Sequence, residues 1–449
     1  MSVDMKKNLL LFVFIVLNYC INTNIVFAQI YPIKYVKETL DNGLTVIYSQ
    51  DKSAPVVSTV IMYKVGSKDE ISTQTGYAHF FEHLMFEATE NIPRGAMDSY
   101  VQEAGGELNA ATSFDKTVFY FQLPSNQLKL ALWIESERMR KLKVESLGVE
   151  TQRGVVLEEI KQTTTNQPYG TLLQKTMENL FAGTSYGWEI LGYEKNIAAA
   201  TIENFQNFYN NFYQPNNAIL SISGDFDLKE TKALVREYFG NIPKGVEPKR
   251  NTIEIPQMTK QYRESIYDEK VQLPGVFISF RGPAITSTDY FATSLLTDIL
   301  ANGESSRLYQ RLVDKEELAV EVTIEPIILQ DVGIFLVYGI ASQGKSAEKI
   351  EKIIYEEINK IIKDGVTDEE LSKAKNIIET KFITDKKNSL SIAQSLAEYQ
   401  NYFGDPGLIN TEIDKYLKVT KNDIVKVAQK YFGTDKNVTL FYLPKSNKK

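Results

Sequence analysis

One cysteine, two histidines and two tryptophans are all that 449 residues hold of these types, and each scarcity removes a class of architecture. The lone cysteine, Cys20, can build neither a disulfide framework nor a multi-thiolate metal site. A metal site in this chain must be built mainly from His, Asp or Glu, and wholly so if Cys20 is removed with a leader. An excess of positive charge is also missing: the formal net charge is −7, which excludes a general role in binding nucleic acid. Beyond the N-terminus no apolar run approaches the length of a membrane span.

The N-terminus itself is different. Lys6 and Lys7 precede an apolar run from Leu9 to Leu17, a more polar stretch, and Val26-Phe27-Ala28 before Gln29. That basic, apolar, small-residue order predicts a secretory signal peptide over 1–28 and export to the periplasm or beyond. A membrane anchor is the competing reading, but the apolar stretch is short for one. A lipoprotein reading through Cys20 meets Tyr19 where a small residue is expected. Cleavage after Ala28 removes Asp4, Lys6, Lys7 and Cys20, leaving no cysteine and a formal charge of −8.

The remaining length suits two or three domains. Leu40 to Tyr48 contains Asn42-Gly43, which predicts a hairpin turn between strands, and Val56 to Val65 predicts a second strand. A helix is expected over Met97 to Ala104, ended by Gly105-Gly106. Extended chain follows over Glu107 to Leu123, then helices over Gln127 to Arg140 and Gly148 to Thr164. An internal echo divides the chain. Thr201 opens a helix that feeds the strand Asn217-Ala-Ile-Leu-Ser-Ile, and Thr420 opens one that feeds Asn437-Val-Thr-Leu-Phe-Tyr-Leu. A duplicated α+β unit accounts for both, giving domains over 29–241 and 265–449 joined by a linker over 242–264, where three prolines and mixed charge gather.

Both histidines fall in one helical turn. Gly76-Tyr-Ala-His-Phe-Phe-Glu-His-Leu-Met-Phe86 places His79 and His83 four apart, with Glu82 between them. On a helix these three share a face, so two imidazoles and a carboxylate point together. The spacing His-x-x-Glu-His is that of the inverzincin peptidases. A catalytic zinc takes a third protein ligand, and Thr151-Gln-Arg-Gly-Val-Val-Leu-Glu-Glu-Ile160 is the best source. Rotation along that helix sets Gln152, Val156 and Glu159 on one stripe and turns Glu158 about 100° away, so one acid of the pair reaches the metal.

These segments, with Gly105-Gly-Glu-Leu-Asn-Ala110, Arg153-Gly-Val-Val-Leu-Glu-Glu159 and Asn166-Gln-Pro-Tyr-Gly170, resemble the pitrilysin, insulinase and mitochondrial processing peptidase family. The likeness runs through the chain after the leader, strongly in the first half and weakly in the second. It implies an α+β fold of two homologous domains, each a mostly antiparallel sheet packed with helices, together forming half of a clamshell chamber. It also implies a zinc-dependent endopeptidase of oligopeptides or unfolded segments. The family's third ligand lies 76 positions after the second histidine, the spacing from His83 to Glu159. His79, His83 and Glu159 would then hold one Zn²⁺ per chain, with Glu82 as the general base. Many relatives carry an auxiliary glutamate where this chain has Gln152. Asn109 and Ala110 correspond to positions that touch an extended substrate along a strand edge.

The second half has no histidine and cannot repeat the site. Where active relatives place an arginine and a tyrosine that grip substrate, this chain has Val313 and Val320, with Arg311 and Tyr309 nearby as displaced candidates. A chamber needs four such domains, which implies a partner: a second chain of the family in a heterodimer, or a second copy in a homodimer. The alternative function is a non-catalytic scaffold or assembly subunit of the same fold, a role that loss of the motif residues would mark.

Overall fold

The structure is a computed structural model in which residues 32–250 and 252–445 are described. The expected signal peptide and its cleavage point lie outside the described residues. Six strands form the first sheet: β1 (Val36–Thr39), β2 (Thr45–Gln50), β3 (Val56–Tyr63), β4 (Glu107–Thr112), β5 (Thr117–Pro124) and β6 (Ala218–Gly224). Their order is β1-β2-β6-β3-β5-β4, antiparallel except for β2 beside β6. The second sheet holds β7 (Tyr262–Asp268), β8 (Gly275–Gly282), β9 (Ala319–Ile328), β10 (Gly333–Ala341) and β11 (Asn437–Pro444). Its order is β7-β11-β8-β10-β9, antiparallel except for β7 beside β11.

With β1 set aside, both sheets follow one plan: first strand, last, second, fourth, third, with the first and last parallel. The sequence echo is the visible end of that repeat. Helices Ile202–Phe212 and Lys421–Tyr431 each start with a reciprocal cap: Thr201 Oγ1 accepts from Asn204 N–H, and Thr420 Oγ1 from Asp423 N–H. They feed β6 and β11, whose runs of buried β-formers occupy equivalent central positions.

Each sheet buries one face under helices of its own half. In the first, Val46, Ile61, Phe119, Phe121 and Leu220 pack with Phe80, Phe81, Leu132, Phe205 and Val235. The other face is covered by the opposite half. Helix Ser389–Phe403, from the second half, lies across β3 and β6, where strand alternation presents the small side chains Ser58, Ser221 and Ser223. Ser58 Oγ and Ser389 Oγ are 2.8 Å apart. In return, helix Leu172–Leu180 of the first half sets Met177 and Leu180 against Phe277, Leu440 and Tyr442 of the second sheet.

Two local expectations shift. The first hairpin turns on Asp41-Asn42, since Gly43 N–H closes on Leu40 O at 2.8 Å and Gly43 follows at φ +91°. Asn42 is held there because its amide donates to Phe239 O and Ile242 O. The helix expected to Thr164 is α-helical over Ser146–Ile160 and widens to a π-turn over Lys161–Thr165. Among the described residues no helix or strand lies between Phe239 and Tyr262, and no helix is long and apolar enough to cross a membrane.

Because the halves exchange helices, damage at one seam should reach both. Met177→Ala, which empties a fully buried site, is expected to cost about 2–5 kcal/mol and to lower a single calorimetric transition. A separate, unshifted transition for one half would contradict the exchange as a stabilising device.

Candidate metal centre

The motif helix, Tyr77–Leu84, is fixed from both ends of its chemistry. Tyr77, Phe80, Phe81 and Leu84 enter the core, with Phe80 stacked on Phe205 at 4.3 Å and Phe81 against Tyr213 at 4.4 Å. That leaves His79, Glu82 and His83 on the opposite stripe. The helix starts at Gly76, at φ +86°, where a Cβ would come within 2.4 Å of Leu191 O; only glycine fits. Buried Glu70 caps it, accepting Gly76 N–H at 2.9 Å, Ala78 N–H at 2.7 Å and Trp188 Nε1–H at 3.0 Å. Burial pushes the Glu70 carboxyl up to about 8, against the pull of those three donors.

Helix Ser146–Ile160 packs beside it. Val149 and Val156 are buried, which turns Gln152 and Glu159 toward the imidazoles. Glu159 Oε1 lies 3.7 Å from His79 Nε2, and Glu159 Oε2 lies 3.4 Å from His83 Nε2. One donor atom from each of the three side chains lies within 4.8 Å of the others, and among the described residues no other such cluster occurs. Glu158 faces solvent, paired with Gln162 at 2.8 Å. Tetrahedral coordination at zinc bond lengths separates donors by roughly 3.3 Å. The two imidazole–carboxylate separations, one to each oxygen of Glu159, lie near that span, while the outer limit of the cluster, 4.8 Å, is wider; a divalent ion is accommodated once the three donors draw inward.

The electrostatics agree with this donor set. Burial pulls the His79 imidazole down to about 4, so the ring is neutral, as a metal ligand must be. Burial also pulls on His83, but hydrogen bonding and charge from Glu159 hold it above the ordinary value. The hydrogen bond from His83 holds Glu159 below its own.

Glu82 stands outside the cluster. Its Oε2 accepts from Thr112 Oγ1 at 2.5 Å, and burial pushes its carboxyl upward against that bond. Gln152 is in contact with the site: its Oε1 is 3.3 Å from His83 Nδ1, and its Nε2 donates to Glu87 Oε1 at 2.8 Å. Glu87 in turn pairs with Arg94.

Asn109 and Ala110 lie on β4, the outer strand of the first sheet. Asn109 is exposed, and its Oδ1 accepts Ala110 N–H at 2.8 Å, so that amide points off the sheet rather than into β5. In the second half, Arg311 is engaged by Glu316, Glu356 and Glu357. Tyr309 and Val313 pack on the second core, while Val320 is exposed on the edge strand β9.

Sequence reasoning missed Glu70, Thr112, Glu87 and Arg94. Glu87 had a visible signal, four residues past His83 on the same side. Thr112 shares the parity of Leu108 and Ala110, whose side chains pack on the core, but nothing local marks its partner. Glu70→Leu, which strands the Gly76 and Ala78 N–H groups and leaves Trp188 Nε1–H only its bond to Ser67 O, is expected to lower the unfolding free energy by at least about 1–3 kcal/mol, the cost of one such donor. Denaturant titration matching the wild-type chain would contradict the capping role.

Two family models match this chain: "Insulinase (Peptidase family M16)" over residues 45–193 and "Peptidase M16 inactive domain" over 199–378. The chain is 30% identical over 423 residues to zinc protease PqqE of Helicobacter pylori, covering 93% of this chain and 94% of that one. A solved structure of a protease from Helicobacter pylori superposes with a TM-score of 0.88 at 29% identity, over 92% of this chain and all of the other. The periplasmic protease PqqL from Escherichia coli shares the fold, with a TM-score of 0.76 at 21% identity; 92% of this chain covers 48% of that one.

Proposed function

The chain belongs to the insulinase family of peptidases, M16, and we propose from this that it is a zinc-dependent endopeptidase acting on oligopeptides or unfolded segments. The observation that carries the reading is the convergence of His79, His83 and Glu159, with Glu82 beside them but outside the donor set. His79, His83 and Glu159 would hold one Zn²⁺ per chain. Bound there, the ion supplies Lewis-acid polarisation of a carbonyl and acidifies water.

The chain's own groups do the rest. Glu82 takes a proton from the attacking water and delivers it to the leaving amine. Thr112 fixes the carboxylate by holding one oxygen. Extended peptide adds to the free edge of β4, reading backbone more than side chains. The Ala110 N–H becomes available to a peptide carbonyl once the Asn109 side chain swings away from it.

The reading includes a partner. Neither Arg311, engaged by three glutamates, nor Tyr309, packed on a core, is free to grip a peptide. The chain spans about half of PqqL, which supports a chamber completed by a second chain of the family, in a heterodimer or, in the competing arrangement, a homodimer. The signal-peptide pattern at 1–28 supports export, and the relative PqqL is described as periplasmic.

Two experiments test this. Glu82→Gln should keep stoichiometric zinc and lose roughly 10²–10⁴-fold in turnover of a quenched-fluorescent peptide, whereas His83→Ala should lose metal and activity together; near-normal turnover by Glu82→Gln would refute the base assignment. Separately, the purified chain alone should be weakly active and gain activity when co-purified with its partner. Full activity from a homogeneous preparation would remove the need for a second chain.

A further inference from the structure

The polar atoms behind His83 form a chain with only one possible direction. Glu87, buried at 4% exposure, accepts Arg94 Nε–H on Oε2 at 2.6 Å and Arg94 Nη2–H on Oε1 at 3.2 Å. An ionised carboxylate can only accept, so the Gln152 atom 2.8 Å from Glu87 Oε1 must be the amide nitrogen. That turns Gln152 Oε1 toward His83 Nδ1, at 3.3 Å. An amide oxygen can only accept too. Gln152 therefore favours the tautomer with the proton on Nδ1 and the lone pair on Nε2, the nitrogen 3.4 Å from Glu159 Oε2; Glu159, also an acceptor, draws the proton the other way until a cation lies between them.

The reverse order has a definite cost. A flipped amide would set NH₂ against Nδ1 and favour the Nε2–H form, which has no lone pair to offer beside Glu159. It would also press an amide oxygen against the Glu87 carboxylate. Gly148, on the first turn of the Glu159 helix, leaves space for this arrangement: a Cβ there would lie 3.2 Å from Glu87 Cγ and 3.3 Å from its carboxyl carbon.

We propose that Arg94, Glu87 and Gln152 are positioning residues that bias His83 toward its Nδ1–H tautomer, against the pull of Glu159, and so present its Nε2 lone pair to a divalent cation. The inference rests on the metal reading above, but half of its test does not need the metal. His79 and His83 are the only imidazoles in the chain. A nitrogen NMR spectrum of the isotope-labelled, metal-free chain, purified without a histidine tag, therefore shows two rings, and His79→Ala assigns them. At about pH 9, where a neutral ring dominates, the Nδ1–H fraction of His83 should fall in Gln152→Leu and in Glu87→Gln. An unchanged fraction in both variants overturns the proposal.

Zinc affinity by chelator competition is the second arm. Gln152→Leu is expected to weaken binding about 10–100-fold, the range for loss of an outer-shell partner, and Glu87→Gln to weaken it in the same direction by freeing the amide to flip. The double variant Gln152→Glu with Glu87→Gln reverses the bond between positions 87 and 152 but leaves position 152 accepting from His83 Nδ1–H, and should recover at least wild-type affinity. Unchanged affinity in Gln152→Leu overturns the proposal. A wild-type chain that takes up no zinc while Gln152→Leu still lowers the Nδ1–H fraction of His83 would end the metal reading and leave the relay standing; one zinc per chain with no such change in tautomer does the reverse.

Discussion

The packing of two helices, Tyr77–Leu84 against Ser146–Ile160, is the constraint on which the rest depends. The first buries its aromatic residues and so turns His79, Glu82 and His83 outward; on the second, Val149 and Val156 share the stripe of Gln152 and Glu159, and burying them carries both polar side chains to the imidazoles. Two imidazoles and a carboxylate brought together in this way are costly to hold without a cation among them. The geometry spreads that cost: His79 is neutral, and His83 shares a proton's interaction with Glu159. Glu70, accepting from the first turn of the motif helix, fixes where that stripe points.

The site borrows rigidity from beyond these helices. Thr112, which holds Glu82, closes β4, and the turn that follows is tied to the second half: Asp115 accepts Gln330 N–H at 2.8 Å, while Lys116 pairs with Glu398. Lys68 and Tyr186 add to the same knot through Asp115 and Asp331. With the exchanged helices Leu172–Leu180 and Ser389–Phe403, these contacts join a half that carries the candidate centre to one that carries no histidine. The second half is thus part of the frame of the first.

Much of this was legible in the sequence, and the part that was not has a physical reason. Spacing alone puts His79, Glu82 and His83 on one face, because helical periodicity is local. Rotation along Thr151–Ile160 separates Glu158 from Glu159 for the same reason. The resemblance then chose between them, and the structure places Glu159 beside both rings with Glu158 in solvent. The capped helices at Thr201 and Thr420 exposed the duplication. What stayed hidden depends on how distant segments meet: which face of β4 meets Glu82, which half covers which sheet, and whether Arg311 is free or already held by glutamates. The Asn42-Gly43 turn shifted by one residue because the Asn42 amide is claimed by the backbone at Phe239 and Ile242, a contact two hundred residues away in the chain.

The central claim is that His79, His83 and Glu159 grip one divalent ion, and zinc-edge X-ray absorption on the purified chain tests it most directly. The account predicts one zinc per chain in a shell of nitrogen and oxygen at about 2.0–2.2 Å, with outer-shell scattering from two imidazole rings; His79→Ala, like His83→Ala, should lose zinc, and any that remains should show one ring. Zinc bound without any imidazole scattering, or scattering unchanged by that substitution, would contradict it.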